Sequence, residues 1–237
     1  MTALSVAHLG PTSYREGLAL QERLVRARAE RTTGDWLLYP DHPPVLTVGR
    51  SGSDASLKAN AETLGRLGLE IFEVARGGDF TWHGPGQLVG YLVCDLTERD
   101  RDLHRFLRDI EQGLISALDA WGLRGETVPG RTGVWVGGEK IASLGVAVRR
   151  WVSYHGFALN VAPDLRFFDL IHPCGLRGIH MTSLVSRLGP GAPGLAEARA
   201  VVAEHVARRL GYDGWTWESA ERAHETAATT AGERLAG

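Results

Sequence analysis

The strand-like and helix-like segments of this 237-residue chain follow one another in an irregular order, and that order limits the fold more than any other feature. A short β-type run, Leu4–Leu9, precedes a helical pattern from Tyr14 to about Arg31 in which Leu18, Leu24 and Val25 share a face. Two strand-like segments then come in succession, Asp35–Tyr39 and Val45–Val48. Between them lies His42-Pro43-Pro44, where proline forbids helix. A short helix at Ala61–Leu67, a strand at Leu69–Val74 and an apolar run at Leu88–Leu96 follow. Asp102–Trp121 carries the strongest helical spacing, through Leu103, Phe106, Ile110, Leu114 and Leu118, with Gly122 as its stop. Thr132–Val136 and Ile141–Val148 flank Gly137-Gly138 as a hairpin, and Trp151–Val161 continues as a further strand. Pro163–Ile171 reads as a turn or short helix, His172–His180 as an irregular loop, and Leu195–Leu210 as the last strong helix. Strands this often adjacent in sequence do not repeat a βα unit. The pattern therefore predicts an α+β domain on a mixed, largely antiparallel sheet, and neither a Rossmann fold nor a TIM barrel.

Hydrophobic residues make up 43% of the chain and charged residues 23%, enough for a core that needs no disulfide or metal staple. A net charge of −2 argues against a nucleic-acid surface. No run of 18 apolar residues predicts a membrane span, and MTALSVAHLG lacks the layout of a secretory signal, so a cytoplasmic protein is expected. Beyond Trp217 the chain is rich in Ala, Thr and Glu with few large apolar side chains. The expected division is a domain over 1–213 and a loosely ordered tail over 214–237.

Three segments concentrate chemistry. Arg76–Gln87 (RGGDFTWHGPGQ) places Arg, Thr, His and Gln donors among glycines that allow close backbone approach, which suits a binding loop or a long turn between strands. It is no P-loop, lacking GxxxxGK[ST]. In Gly137–Val146, Lys140 opens an apolar strand, so its side chain either snorkels to solvent or enters a cleft. Of the 26 Lys and Arg residues only Lys58 and Lys140 are lysines, and Lys, unlike Arg, can give up its proton. Lys58 sits in a polar stretch and reads as a surface residue. The third segment is the loop Ile171–Gly178. Cys94 lies in an apolar run and reads as core, whereas Cys174, between proline and glycine, has the surroundings of a reactive thiol or an incidental one. No CxxC or HExxH motif supports a metal site.

Together the strings RGGDFTWHGPGQLVGY (76–91), GEKIASLGV (138–146), HGFALNV (155–161) and HPCGL (172–176) resemble the octanoyltransferase family, in its order and spacing, from near the N-terminus to about Leu210. The resemblance implies the fold of lipoate- and biotin-protein ligases, with a larger and a smaller sheet flanked by helices. It implies transfer of an octanoyl group from the phosphopantetheine arm of acyl carrier protein to a lysine of lipoyl domains, in 2-oxoacid dehydrogenase E2 subunits and glycine cleavage H protein. Cys174 would carry the acyl group as a thioester and Lys140 would favour its thiolate and move its proton. No ATP or other cofactor is implied. Substrate-binding positions carried over from the motifs are Arg76, Gly77, Gly78, Asp79, Phe80, Thr81, Trp82, His83, Ser143, Leu144, Gly145, Gly156, Phe157 and Ala158. Arg23, Arg26, Arg28, Arg31 and the pair Arg149-Arg150 form either a solvated face or a surface that steers an acidic carrier. A monomer is the default expectation.

Overall fold

Two sheets share the chain in a computed structural model that describes residues 3–172 and 179–232. The larger is built from β1 (Leu4–Pro11), β2 (Trp36–Asp41), β6 (Gln87–Val93), β7 (Glu126–Val128), β8 (Arg131–Val136), β9 (Glu139–Arg149), β10 (Val152–Asn160) and β11 (Trp215–Glu218). Its spatial order is β11-β1-β2-β6-β10-β9-β8-β7. β1 runs parallel to both β2 and β11, and the remaining pairs are antiparallel. The smaller sheet holds β3 (Val45–Val48) between β4 (Glu70–Glu73), which is parallel to it, and β5 (Phe80–His83), which is antiparallel. The mixed α+β class is thus the one that the strand pattern predicts, and the division into a larger and a smaller sheet is the one that the resemblance implies.

Helices cover both faces of the large sheet. The side-chain alternation of its strands sends Leu37, Tyr39, Leu88 and Leu92 to one face. There they meet α3 (Leu103–Ala120) and α5 (Leu195–Arg209). Leu38, Val89, Tyr91 and Val93 point the other way, into a core shared with α1 (Tyr14–Ala29) and α6 (Ala220–Gly232). Every residue of β6 is buried, which is why this strand reads as a continuous apolar run and not as an alternating one. α1 starts at Ser13 with a reciprocal cap: Glu16 N–H donates to Ser13 Oγ at 3.2 Å and Ser13 N–H donates to Glu16 Oε2 at 3.0 Å. A third core, of Leu46, Leu69, Phe80, Trp82, Phe168 and Ile171, lies under the small sheet.

Several details differ from the sequence expectation. The glycine-rich stretch contains the strand β5, and the short β7 and α4 (Leu184–Leu188) carry no distinct sequence signal. The segment expected to be loose from 214 supplies β11, paired with β1, and α6, packed on α1. Ala223 and Ala227 are 0% and 1% exposed. Small residues at i and i+4 let two helices approach closely, so the packing face carries no large apolar side chains to betray it. Arg28 corrects the expected steering surface. Its guanidinium is buried among Asp35 at 2.6 Å, Asp95 at 3.2 Å and Glu98 at 2.7 Å, tying α1 to the segments before β2 and after β6. Cys94 is a core residue whose thiol burial pushes up to about 12. Lys58 is exposed. Among the described residues no helix is long and apolar enough to cross a membrane.

Candidate active site

The loop that follows β4 is stitched across the large sheet. Gly77 N–H donates to Val146 O at 3.0 Å, so residues 76–77 lie directly over β9 at Gly145. A Cβ at Gly145 would sit 2.9 Å from Gly77 O and 3.1 Å from Arg76 Cδ, so only glycine admits this crossing without displacement. Arg76 then reaches the small sheet, donating through Nη2 to Thr47 O at 2.9 Å and Thr47 Oγ1 at 2.6 Å. Asp79 accepts from Ser56 Oγ and, at 2.7 Å, from the Phe80 N–H. These bonds brace the loop between the two sheets, beside a cleft whose space, counted out into the solvent at its mouth, is about 540 Å³.

The cleft brings together most of the expected binding positions: Arg76, Gly78, Asp79, Phe80, Thr81 and His83 from one wall, and Ser143–Gly145 and Gly156–Ala158 from the other. Register explains the second wall. β9 and β10 pair Ser143 with Ala158 and Gly145 with Gly156, four small residues in one patch. A Cβ at Gly156 would meet Gly90 O at 2.2 Å, so that position is closed to any side chain. Gly77 and Trp82 do not line the cleft. Trp82 instead stacks on Phe167 at 4.9 Å and meets Phe168 edge-on, inside the small-sheet core.

Three lining residues, Tyr14, Tyr91 and His155, are absent from the sequence expectation. His155 begins the string HGFALNV, but its role depends on a backbone turn that sequence does not announce. With φ of 59° it is a non-glycine residue in the left-handed region, and its N–H donates to Gln21 Oε1 of α1 at 2.7 Å. This local break in alternation sets its ring edge-on to Tyr91. Its Nε2 has no hydrogen-bond partner among the described residues. His42 Nδ1 lies 2.7 Å from Thr12 O, an acceptor, so Nδ1 carries the proton and Nε2 accepts from Tyr91 OH, also at 2.7 Å. His83 Nδ1 bonds Gln87 Oε1 at 2.7 Å, and Gln87 Nε2 passes the chain to Asn160 Oδ1 at 3.0 Å.

Burial holds these rings neutral. His83 and His155 are both lowered to about 3, by desolvation first, with the charge of His42 and Arg76 adding for His83 and that of Arg76 for His155. Desolvation likewise pushes Tyr14 up to about 12. The sign for stability is set by the unfolded chain, whose histidines bind protons below about pH 6.5 while the folded rings do not. Stability is expected to be full above that pH and to fall as pH drops toward 3, by up to about 1.4 kcal/mol per pH unit for each ring. Urea unfolding at a series of pH values checks this. A flat profile between about pH 6.5 and 5 would contradict neutral burial of these rings.

Lys140 neither snorkels nor lines the cleft. It is 1% exposed, at a slip in the β8–β9 ladder between the pairs Val134–Ala142 and Trp135–Lys140. Such a bulge re-aims a side chain. The Lys140 stem passes over Gly133, where a Cβ would sit 2.5 Å from its Cε, and Nζ lies 5.7 Å from the centroid of the Trp135 ring. Glu111 of α3 accepts the Gly133 N–H at 2.7 Å. Burial raises the Glu111 pKa, opposed by that hydrogen bond and by the charges of Lys140 and Arg108. Beyond the point where β10 leaves the sheet, residues 180–182 take its place beside β9. Lys140 N–H donates to His180 O, and Thr182 N–H donates to Lys140 O, both at 2.9 Å. Asn160 Nδ2 donates to Thr182 O at 3.0 Å, so the hydrogen-bond chain from His83 ends on this same strip. At the other side of the loop, His172 N–H donates to Ser56 O at 2.7 Å. Cys174 lies between these two anchors and outside the described residues. Among the described residues no cluster of His, Cys, Asp or Glu could hold a metal.

Solved structures share this two-sheet arrangement. Lipoate-protein ligase A bound with ATP superposes with a TM-score of 0.73 at 16% identity, covering 97% of this chain and 94% of that one. Biotin protein ligase from Aquifex aeolicus gives 0.50 at 11% identity, over 98% and 76%. The fold is therefore that of the lipoate- and biotin-protein ligases. Residues 13–207 match the Lipoyl protein ligase A/B catalytic domain family, to which the chain belongs. It is 48% identical to an octanoyltransferase of Geobacter sulfurreducens, over 84% of this chain and 82% of that one. It is 50% identical to one of Rubrobacter xylanophilus, over 84% and 91%.

Proposed function

We propose that this protein is an octanoyltransferase of lipoate biosynthesis. It takes an octanoyl group from acyl carrier protein and delivers it to a lysine of lipoyl domains, those of 2-oxoacid dehydrogenase E2 subunits and the glycine cleavage H protein. The observation that carries the reading is the backbone pairing of Lys140 with residues 180–182, the strip that the chain enters after Cys174, in a chain so similar to octanoyltransferases.

In the resting pair, Cys174 is a thiolate and Lys140 an ammonium. A free thiol has a pKa near 8.5, and an adjacent cation favours its ionised form. The Cys174 sulfur attacks the donor thioester carbonyl. A new C–S bond forms, the donor C–S bond breaks, and the departing carrier thiolate takes a proton from Lys140. The acceptor amine then attacks the octanoyl-Cys174 thioester, losing its proton to Lys140 as the amide forms. Cys174 leaves as thiolate, and the pair is back at its starting charge. Exchange of one thioester for another is close to balanced and amide formation from a thioester is downhill, so ATP has no role.

The cleft suits the acyl chain. Leu144, Phe157, Ala158 and Phe80 offer apolar walls. Each methylene buried contributes about 0.8 kcal/mol, enough for strong selection by chain length. The neutral imidazoles of His83 and His155 place no charge beside the hydrocarbon.

Incubation with octanoyl-acyl carrier protein and measurement of intact mass tests this reading. The expected result is a gain of one octanoyl group, absent in Cys174→Ser, that disappears when a lipoyl domain is added. Product that forms only with ATP and free octanoate would instead make the protein a ligase.

A further inference from the structure

Close to Lys140 stands a buried carboxylate that the transfer chemistry above does not use. Glu111 of α3 is 7% exposed and turns toward the large sheet, where its Oε1 accepts the Gly133 N–H of β8 at 2.7 Å. Gly133 has a φ of 136°, in the region that favours glycine, and a Cβ there would sit 2.5 Å from Lys140 Cε and 3.1 Å from Nζ. One backbone residue thus meets both groups. Its N–H holds the Glu111 carboxylate, and its Cα faces the end of the Lys140 side chain.

An amine as buried as Lys140 keeps its charge only where a counter-charge offsets the hydration it has lost. The surroundings of Glu111 make it that counter-charge. The charges of Lys140 on β9 and of Arg108 on α3 itself both favour its ionised form. Arg131 of β8 and Arg209 of α5 line, with Glu111, the opening between α3 and the β7–β8 hairpin, and Arg209 is paired with Asp109 at 3.2 Å. His180, on the strip beside β9, is exposed and gives its carbonyl to the Lys140 N–H. Arg108 is exposed, so water screens its charge, whereas Glu111 and Lys140 are both buried and act on each other with less screening.

We propose that Glu111 is a positioning residue for Lys140: its carboxylate, fixed by the Gly133 N–H, holds the buried amine in the charged form in which it meets Cys174. This rests on the octanoyl-transfer reading above. A buried carboxylate can orient a proton-transfer group and stabilise its charged form without taking the proton itself. Glu111 stays ionised through both half-reactions. In the first, Lys140 gives its proton to the departing carrier thiolate. In the second, the same carboxylate favours return of a proton from the acceptor amine to Lys140, which restores the starting charges.

Because the chain has only two lysines, isotopic labelling of lysine at Cε gives one NMR signal for each, and Lys140→Met identifies them. Glu111→Gln keeps the shape of the side chain and an oxygen for the Gly133 N–H, and removes the charge. The Lys140 signal is expected to titrate about one pH unit or more lower in Glu111→Gln than in the wild-type protein, with exposed Lys58 unmoved as the reference. Glu111→Asp, which keeps the charge and gives up the fit, should lie nearer the wild type. In the wild-type protein the Lys140 signal should also shift at acid pH as Glu111 takes up its proton, a reading that needs no variant to fold. The alkaline limb of the pH profile for octanoyl-enzyme formation should move down with the Lys140 titration, whereas lost packing alone would lower the rate equally at every pH. A Lys140 titration that Glu111→Gln leaves in place overturns the proposal, as does an equal displacement in both variants or a wild-type signal that ignores acid pH. A displaced titration in a protein whose wild type never becomes octanoylated would leave the coupling standing and overturn the octanoyl-transfer reading.

Discussion

Lys140→Met is expected to slow formation of the octanoyl-enzyme by about 10²–10⁴-fold, the range for loss of a positioned proton-transfer group. Met has nearly the same length and shape, so it can follow the path over Gly133 that a bulkier side chain cannot. The fold should be kept at some cost in stability: Glu111 is buried and loses the Lys140 charge that favours its carboxylate, so the melting temperature should fall, as when one charge of a buried set is removed. The pH dependence of Cys174 alkylation should move upward toward that of a free thiol, because the neighbouring cation is gone. Lys140→Arg keeps the charge but neither the proton transfer nor the fit at Gly133, and should also lose most turnover. Wild-type rates of acylation in Lys140→Met, measured by intact mass over time, would remove Lys140 from the mechanism.

Arg28→Ala is expected to destabilise the protein by about 3–5 kcal/mol, as removal of one partner from a buried ion cluster does. The guanidinium donates to Asp35 through Nε and to Glu98 through Nη2, and its Nη1 lies 3.2 Å from Asp95. Asp35 and Asp95 are both buried and would be left without their main counter-charge. Asp35 also accepts from Tyr212 OH and from the Asp95 N–H, so the loss would spread to the segment ahead of β11. Arg28→Lys should recover only part, since an ammonium cannot present three donors in a fixed fork. Denaturant unfolding of the two variants measures this, and a loss within about 1 kcal/mol for Arg28→Ala would place the cluster among exposed ion pairs of little value.

Both predictions turn on charges whose setting the linear pattern shows unevenly. The periodicity of Asp102–Trp121, the hairpin at Gly137-Gly138 and the mixed class of the sheet are local properties, set by side-chain spacing and turn chemistry within a few residues. The glycine-rich loop and the small residues at Ser143 and Gly145 were legible for the same reason: close approach needs the absence of a side chain, and glycine announces it. Gly156 and Ala158 came only from the family resemblance. Trp82 read as a pocket wall because it sits in the motif, yet strand alternation turns it into the small-sheet core. Arg28 read as part of a solvated or carrier-steering face because helical spacing cannot say that Asp35 and Asp95, from two other segments, close over it. His155 and Tyr91 enter the cleft through a left-handed residue in one strand and its pairing with the next. Lys140 stood out in the chain as one of two lysines among many arginines. Its burial over Gly133, its place at a ladder slip and its link to residues 180–182 come from strands far apart in sequence. Residue type and spacing act over a turn or a strand and so survive in one dimension. Burial, register and the company of charges arise when distant segments pack, and they exist only in three.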